Sequence, residues 1–213
     1  MTAPADDISA LTRIVTVSRE TAERLAAFVA LIRKWQPAEN LISPKTLHEI
    51  WRRHVADCAQ LVPLFPETRR WLDMGTGAGF PGIVLALIGG EGTHVDLVES
   101  NTRKCAFLRT AIRETGAPAI VHEGRAEVIL ARWQTPVDRI VARALASLTR
   151  LLELAEPLMG QGIPAAFHKG EDFRQEIDEA SQSWNFDLVQ HDSRVGEGVI
   201  LEIANLRRKP RQG

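Results

Sequence analysis

The sequence has no tyrosine, no Pro-Pro dipeptide and only two cysteines, Cys58 and Cys105. Two isolated thiols in helix-like stretches do not make a disulfide framework; they fit reduced side chains in a cytoplasmic protein. No apolar run approaches the roughly 20 residues of a membrane span. Acids stand within Met1–Ala10, where a secretion signal would carry cations. An excess of one charge is missing too: 26 Lys and Arg against 27 Asp and Glu give a net charge of −1. That excludes a globally basic nucleic-acid binder but not local basic patches. No repeat, low-complexity tract or metal-ligand cluster is visible, so neither a metal nor a membrane partner is expected. What is there is ordinary for a globular chain: 213 residues, 45% hydrophobic and 25% charged, enough for one sizeable core.

Apolar spacing divides the chain in two. Residues up to about Val17 show no firm period and are expected to include a mobile end. Ser18 caps an expected helix to about Trp35, with Leu25, Phe28, Val29 and Ile32 at i, i+3, i+4, i+7 spacing, and Gln36-Pro37 stops it. A second helix is expected after Ser43-Pro44, carrying Leu47, Ile50, Trp51, Val55, Cys58, Leu61 and Val62 up to Pro63 and Pro66. From Arg70 the texture changes to strands alternating with helices. That alternation predicts right-handed crossovers and a mostly parallel seven-stranded sheet covered on both faces. The short connection Asp192–Gly198 makes the last strand antiparallel. The expected architecture is a Rossmann-like α/β domain over 67–213, preceded by a helical segment over 1–66.

The most pointed stretch runs from Trp71 to Gly82. Two apolar residues lead into Asp73; then Gly75, Gly77, Gly79 and Gly82 fall within eight positions, and an apolar helical run follows. Such a loop brings backbone close to a ligand, since glycine permits φ > 0 and carries no Cβ. Two frames compete. Gly77-x-Gly79-x-x-Gly82 matches the dinucleotide motif, whereas Asp73-x-Gly75-x-Gly77-x-Gly79 matches the acidic-x-G-x-G-x-G loop of S-adenosylmethionine enzymes. A pyrophosphate does not call for a carboxylate at the preceding strand end, whereas a methionyl ammonium tolerates Asp73. The alternative is that Asp73 merely caps the loop. Glu99, twenty residues after Gly79, can accept both ribose hydroxyls of either nucleoside. Ala126 and Glu127, after the third strand, are placed to read an adenine edge or to start a helix.

With S-adenosylmethionine as donor, the absences narrow the acceptor. Methylation of exocyclic amines uses an Asn/Asp-Pro-Pro-aromatic loop, and the chain has neither Pro-Pro nor tyrosine. Methylation of pyrimidine C5 needs a cysteine after the fourth strand, and Cys58 and Cys105 lie elsewhere. What remains is an acceptor that is already nucleophilic, such as guanine N7, for which catalysis is positioning and exclusion of water. Arg143, at the end of the fourth strand, suits a guanine edge or a donor carboxylate, or else a structural ion pair. Phe80, Phe167 and His168 are candidates to flank a base.

These residues together resemble the bacterial 16S rRNA guanine-N7 methyltransferase G family, also called glucose-inhibited division protein B. The resemblance spans about Trp35 to Leu206. It rests on Trp35…Asn40-Leu41, Arg53-His54-Val-Ala-Asp57, Asp73-Met-Gly75-Thr-Gly77-Ala-Gly79-Phe80-Pro81-Gly82, Arg103-Lys104…Phe107-Leu108-Arg109, Arg143-Ala144-Leu145-Ala146-Ser147-Leu148 and Lys169-Gly170. Two departures are small: Cys58 stands where relatives often have serine, and Glu99 where many have aspartate.

The resemblance implies a class I S-adenosylmethionine methyltransferase fold with the donor held at Gly75, Phe80, Ala126, Glu127 and Arg143. It implies methylation of guanine N7 in the decoding-region loop of 16S rRNA, in the 30S subunit or a precursor, by a monomer. A small-molecule methyltransferase and a NAD-binding sensor are the alternatives. His54 and Asp57, at i, i+3, are expected to face the cleft or to form a buried pair. RNA contacts are expected at Arg53, Arg103, Lys104 and the tail cations Arg207, Arg208 and Lys209.

Overall fold

A computed structural model describes residues 7–210. The first helices are α1 (Ser9–Thr12) and α2 (Arg19–Glu39), followed by a 3-10 turn over Pro44–Glu49, a π-helical turn over Trp51–Ala56, α3 (Asp57–Ala59) and α4 (Leu61–Leu64). Then come β1 (Arg70–Met74), α5 (Gly82–Ile88), β2 (His94–Glu99), α6 (Thr102–Thr115), β3 (Ala119–Glu123), α7 (Ala126–Leu130), β4 (Arg139–Arg143), α8 (Leu148–Met159), β5 (Ala165–Lys169), α9 (Phe173–Ser183), β6 (Trp184–Asp192) and β7 (Val199–Arg208).

The seven strands form one sheet in the order β3-β2-β1-β4-β5-β7-β6. All neighbours are parallel except β7, which runs antiparallel to both β5 and β6. The seven-stranded, mostly parallel expectation therefore holds. The chain reverses between β3 and β4, so the C-terminal ends of β1 and β4 open beside each other, where α/β sheets place ligands.

Strand periodicity splits the core into two layers. Trp71, Val141, Ala166 and Ile200 point to one face, and Leu72, Ile140, Ala142, Ala165, Phe167 and Leu201 to the other. The first face is covered by α5 and α6 and also by the N-terminal segment, whose Leu25, Phe28 and Ile32 share one core with Ile83, Phe107 and Leu108. Each such buried side chain stabilises by roughly 1.5–3 kcal/mol. Arg24 completes the docking by donating to the Thr115 and Gly116 carbonyls at the C-terminal end of α6. The N-terminal segment and the sheet thus share one core.

The N-terminal segment departs from the sequence expectation in two places. Helix α2 does not stop at Gln36-Pro37 but runs on to Glu39, with Pro37 in its last turn. There the ring forfeits one hydrogen bond only, and Asn40 closes the helix in the left-handed region at φ 45°. The Gln36 side chain then clasps the exiting loop, bonding both the Ile42 carbonyl at 2.7 Å and the Ile42 amide at 3.0 Å. The expected second helix is instead a series of short turns, among them the π turn, a geometry that is frequent at functional sites. Of the chain before Val17, Met1–Asp6 lies outside the described residues; α1 buries Leu11 completely. Among the described residues no helix is long and apolar enough to cross a membrane.

Candidate active site

The glycine loop is suspended between two carboxylates. Asp73, at the end of β1, accepts the Gly82 amide at 2.8 Å, and Glu99, at the end of β2, accepts the Gly77 amide at 2.9 Å and the Asn101 amide at 2.8 Å. The Gly75 and Thr76 amides both donate to the Val98 carbonyl, stitching the loop to β2. Gly75 (φ 66°) and Gly77 (φ 58°) take the left-handed region this path requires. At Gly82 a Cβ would meet Leu97 at 2.2 Å and Asp73 Oδ2 at 2.7 Å, so close packing fixes glycine there.

Beside this loop lies a cavity of about 670 Å³, lined by Gly75, Gly77, Phe80, Glu99, Lys104, Ala126, Glu127, Arg143, Leu145 and Arg150 among others. A second cavity of about 560 Å³ lies next to it, lined by Arg53, Asp57, His168, Lys169 and Glu197 among others. Thr46, His54, Arg143 and Ala144 line both and form the partition.

Arg143 is the hub of that partition. Its Nε pairs with Asp57 Oδ2 at 3.3 Å, Nη1 reaches His54 Nδ1 at 3.1 Å and Cys58 Sγ at 3.7 Å, and Nη2 donates to the Arg53 carbonyl at 2.9 Å. Four of the five guanidinium N–H groups are thereby engaged. Because Arg143 can only donate, His54 Nδ1 accepts, which leaves its proton on Nε2 facing Thr46 Oγ1 at 2.9 Å. The Thr46 hydroxyl in turn donates to the Ser43 carbonyl at 3.0 Å. Burial, then the charges of Arg143 and Arg53, lower the His54 pKa to about 3, so the ring stays neutral.

The remaining titratable groups are equally constrained. Burial pushes the Cys58 thiol up to about 12, and Cys105 is raised by burial as well, so neither supplies a thiolate. Asp73, fully buried beneath the loop, is raised to about 7, chiefly by desolvation. Behind the partition, Lys169 Nζ bonds Glu176 at 2.6 Å and the Ala146 carbonyl at 2.9 Å, while Glu176 also accepts the Leu148 amide. This clamp holds the turn in which Ala144 takes φ 52°, an uncommon value for a residue with a side chain.

The sequence matches the family model described as rRNA small subunit methyltransferase G over residues 21–198. The chain belongs to the rRNA small subunit methyltransferase G family. Relatives carrying that name include those of Brucella canis and Brucella suis biovar 1, each 53% identical over 201 residues, covering 93% of this chain and 94% of theirs. Among solved structures, cofactor-bound Rv0187 from MTB superposes with a TM-score of 0.63 at 18% identity, covering 96% of this chain and 99% of that one. An O-methyltransferase from Bacillus cereus in complex with SAH gives 0.56 at 17% identity, covering 93% and 96%. Those two likenesses concern the fold. As a member of the methyltransferase G family, the chain is an S-adenosylmethionine-dependent rRNA methyltransferase.

Within this family member, Gly75, Gly77, Phe80, Glu99, Ala126, Glu127 and Arg143 meet at one cavity although they come from four strand ends. Asp73 and Gly79 do not: Asp73 supports the loop from beneath, and Gly79 faces Ile83, Leu108 and Phe28 in the core. His54 and Asp57 do not pair with each other, because Arg143 sits between them. Phe167 is fully buried in the opposite core layer and does not reach a base, whereas His168 lines the second cavity. Lys104 lines the first cavity, Arg53 the second, and Arg103 is exposed at the start of α6. Arg207, Arg208 and Lys209 lie elsewhere. The register sets Val199 beside Lys169 at the site end of the sheet, so β7 carries the tail to the opposite end. There Arg208 pairs with Glu156 at 3.2 Å and Lys209 Nζ bonds the Ser181 carbonyl. Sequence reasoning missed Arg150, whose guanidinium holds Glu127; a cation inside an amphipathic helix carries no signal of that role.

Proposed function

We propose that this chain methylates N7 of a guanine in the decoding-region loop of 16S rRNA, acting as a cytoplasmic monomer on the 30S subunit or a precursor. The observation that carries this reading is the absence of a free base at the partition. Neutral His54 has both ring nitrogens committed, Asp57 is paired, and the Cys58 thiol stays protonated. An acceptor that had to lose a proton would be poorly served there. A neutral in-plane lone pair needs only alignment and exclusion of water.

The first cavity fits the donor. A Cβ at Gly77 would meet nothing nearer than the Gly75 carbonyl at 3.9 Å, so the loop backbone lies open to a ligand. Each Glu99 oxygen already accepts one amide and keeps a second lone pair for a ribose hydroxyl. The Ala126 amide and Glu127, held by Arg150, flank the adenine position. When bound, S-adenosylmethionine supplies an electrophilic methyl on a sulfonium. Arg143 orients the partition and has one N–H left to donate to the donor carboxylate or to guanine O6.

Arg53 and Arg103 share the site end of the sheet and serve as the nearer phosphate contacts. Arg207, Arg208 and Lys209 face the other end, so their contacts are with RNA distant from the target loop. The test is transfer of labelled methyl to 30S subunits isolated without this enzyme, followed by nucleoside analysis. Label in 7-methylguanosine is expected; label in any other nucleoside refutes the chemistry. Isothermal titration against NAD separates the sensor alternative, since NAD binding without donor binding would overturn the donor assignment.

A further inference from the structure

We propose that segment 41–46 is the wall of the first cavity that meets the methionyl end of the donor, and that Gln36 and Thr46 are the positioning residues that fix it there. The inference rests on placing the donor in the first cavity and extends that reading to a segment well outside the glycine loop. Leu41, Ile42, Ser43 and Thr46 line this cavity together with Thr76, Gly77 and Phe80.

Side chains hold the segment at both ends. Residues 40–43 lie in no helix or strand, so their main chain has no ladder to join. At one end Gln36, only 8% exposed, gives Ile42 what a neighbouring strand would. Its Nε2 donates to the Ile42 carbonyl at 2.7 Å, and its Oε1 accepts the Ile42 amide at 3.0 Å. The same Nε2 lies 3.3 Å from Oδ1 of Asn40, the residue that closes α2. A glutamine is seldom so buried, and this one commits both ends of its amide to one residue. At the other end Thr46 Oγ1 donates to the Ser43 carbonyl at 3.0 Å and accepts the His54 Nε2 proton at 2.9 Å, while His54 is held by Arg143. Between the two clasps Leu41 and Ile42 are buried. Gln36 does not line the cavity, so it acts on a ligand only through the segment.

The clasps also determine which part of the donor the segment meets. Adenine and ribose are assigned to Glu127 and Glu99. The Thr46 end adjoins the partition instead, where the His54 ring lies 5.1 Å from the Phe80 ring and 3.1 Å from Arg143 Nη1. The methionyl chain and its sulfonium fall to that side. Leu41 and Ile42 there supply apolar surface that keeps water from the reacting methyl. A wall pinned before the donor arrives need not be ordered by binding, and that favours affinity.

The test is calorimetric titration of wild type, Gln36→Leu, Thr46→Val and Thr46→Ser with S-adenosylhomocysteine and with adenosine. Amide hydrogen exchange over 41–46 in the unliganded protein and urea melts accompany it. Gln36→Leu and Thr46→Val should each weaken S-adenosylhomocysteine about tenfold, leave adenosine within about twofold of wild type and speed exchange over 41–46. Thr46→Ser keeps the hydroxyl and should bind both ligands as wild type does. Thr46 is half-buried, so Thr46→Val carries the prediction even where Gln36→Leu does not fold. A clasp that serves only the fold would lower the urea midpoint and leave both affinities unchanged, which overturns the proposal. Equal weakening of the two ligands overturns it as well, because the segment would then shape the whole cavity and not its methionyl end. Gly75→Ala tests the underlying placement: normal S-adenosylhomocysteine binding by that variant would remove the donor from the first cavity, and the role of the segment with it.

Discussion

The two cavities share a wall but are made of different material. The first cavity is shaped by main chain: the Gly75–Gly82 loop hangs from Val98, Asp73 and Glu99 by backbone amides. The second cavity is shaped by side chains tied in pairs, Asp57 with Arg143, Lys169 with Glu176 and Glu49 with Arg53. A wall of backbone amides needs glycines at set intervals and tolerates little else. A wall of ion pairs draws its members from sequence-distant segments and fails as a unit when one is removed. Variants on the two sides should therefore fail differently.

The largest effect is expected at the shared wall. Arg143→Ala should lower methyl transfer more than a hundredfold and also cost about 2–3 kcal/mol of stability, because it strands half-buried Asp57 and frees His54. Turnover and urea melts together check this; loss of activity at unchanged stability would mean the hub is not structural. Next is Gly75→Ala. A Cβ there meets Leu145 at 2.4 Å in a left-handed backbone, so donor affinity should fall tenfold or more by calorimetry. A variant that binds the donor normally would show that the loop is not held by its backbone path.

Asp73 offers a smaller effect with a defined sign. Burial raises its pKa from the ordinary 3.8 to about 7, so its contribution is fully present below about pH 4 and is lost as pH rises to about 7. Asp73→Asn keeps an acceptor for the Gly82 amide, so its stability relative to wild type should improve across that window, by a few kcal/mol at most, and then level off. His54 acts oppositely: with a folded pKa of about 3 its contribution is present above about pH 6.5 and is lost as pH falls. Urea melts of Asp73→Asn at pH 5, 6, 7 and 8 separate the two; a gap that does not widen contradicts the buried-carboxylate account. Smallest is the phosphate contribution. Arg53→Ala should reduce the salt slope of 30S binding by roughly 0.7 and lower turnover, while Arg207→Ala should leave turnover unchanged.

The same contrast explains what was legible beforehand. Gly75, Gly77, Phe80 and Glu99 advertise a backbone-built pocket, because φ > 0 and close approach leave a spacing that reads directly. The parallel sheet is legible for a similar reason, since Trp71 and Leu72, or Ile140 and Val141, alternate between two core layers. The N-terminal segment misleads. Apolar spacing over 47–62 fits a regular helix, yet Arg143 draws the Arg53 carbonyl, His54 and Asp57 toward itself and the path becomes a π turn. Pairing of His54 with Asp57 is a reasonable reading of i, i+3 spacing, but it omits a partner 89 residues away in sequence. The tail cations read as one patch, although the antiparallel course of β7 takes them to the far end of the sheet.

The central claim is that methyl transfer here needs position and not proton removal. Its most direct test is kcat on 30S subunits at saturating donor from about pH 7.5 to about pH 9, above the Asp73 ionisation. The account predicts a profile flat within about twofold, because N7 attacks as a neutral lone pair and no residue at the partition serves as a base. A tenfold rise per pH unit across any part of that range would demand a catalytic base and contradict it.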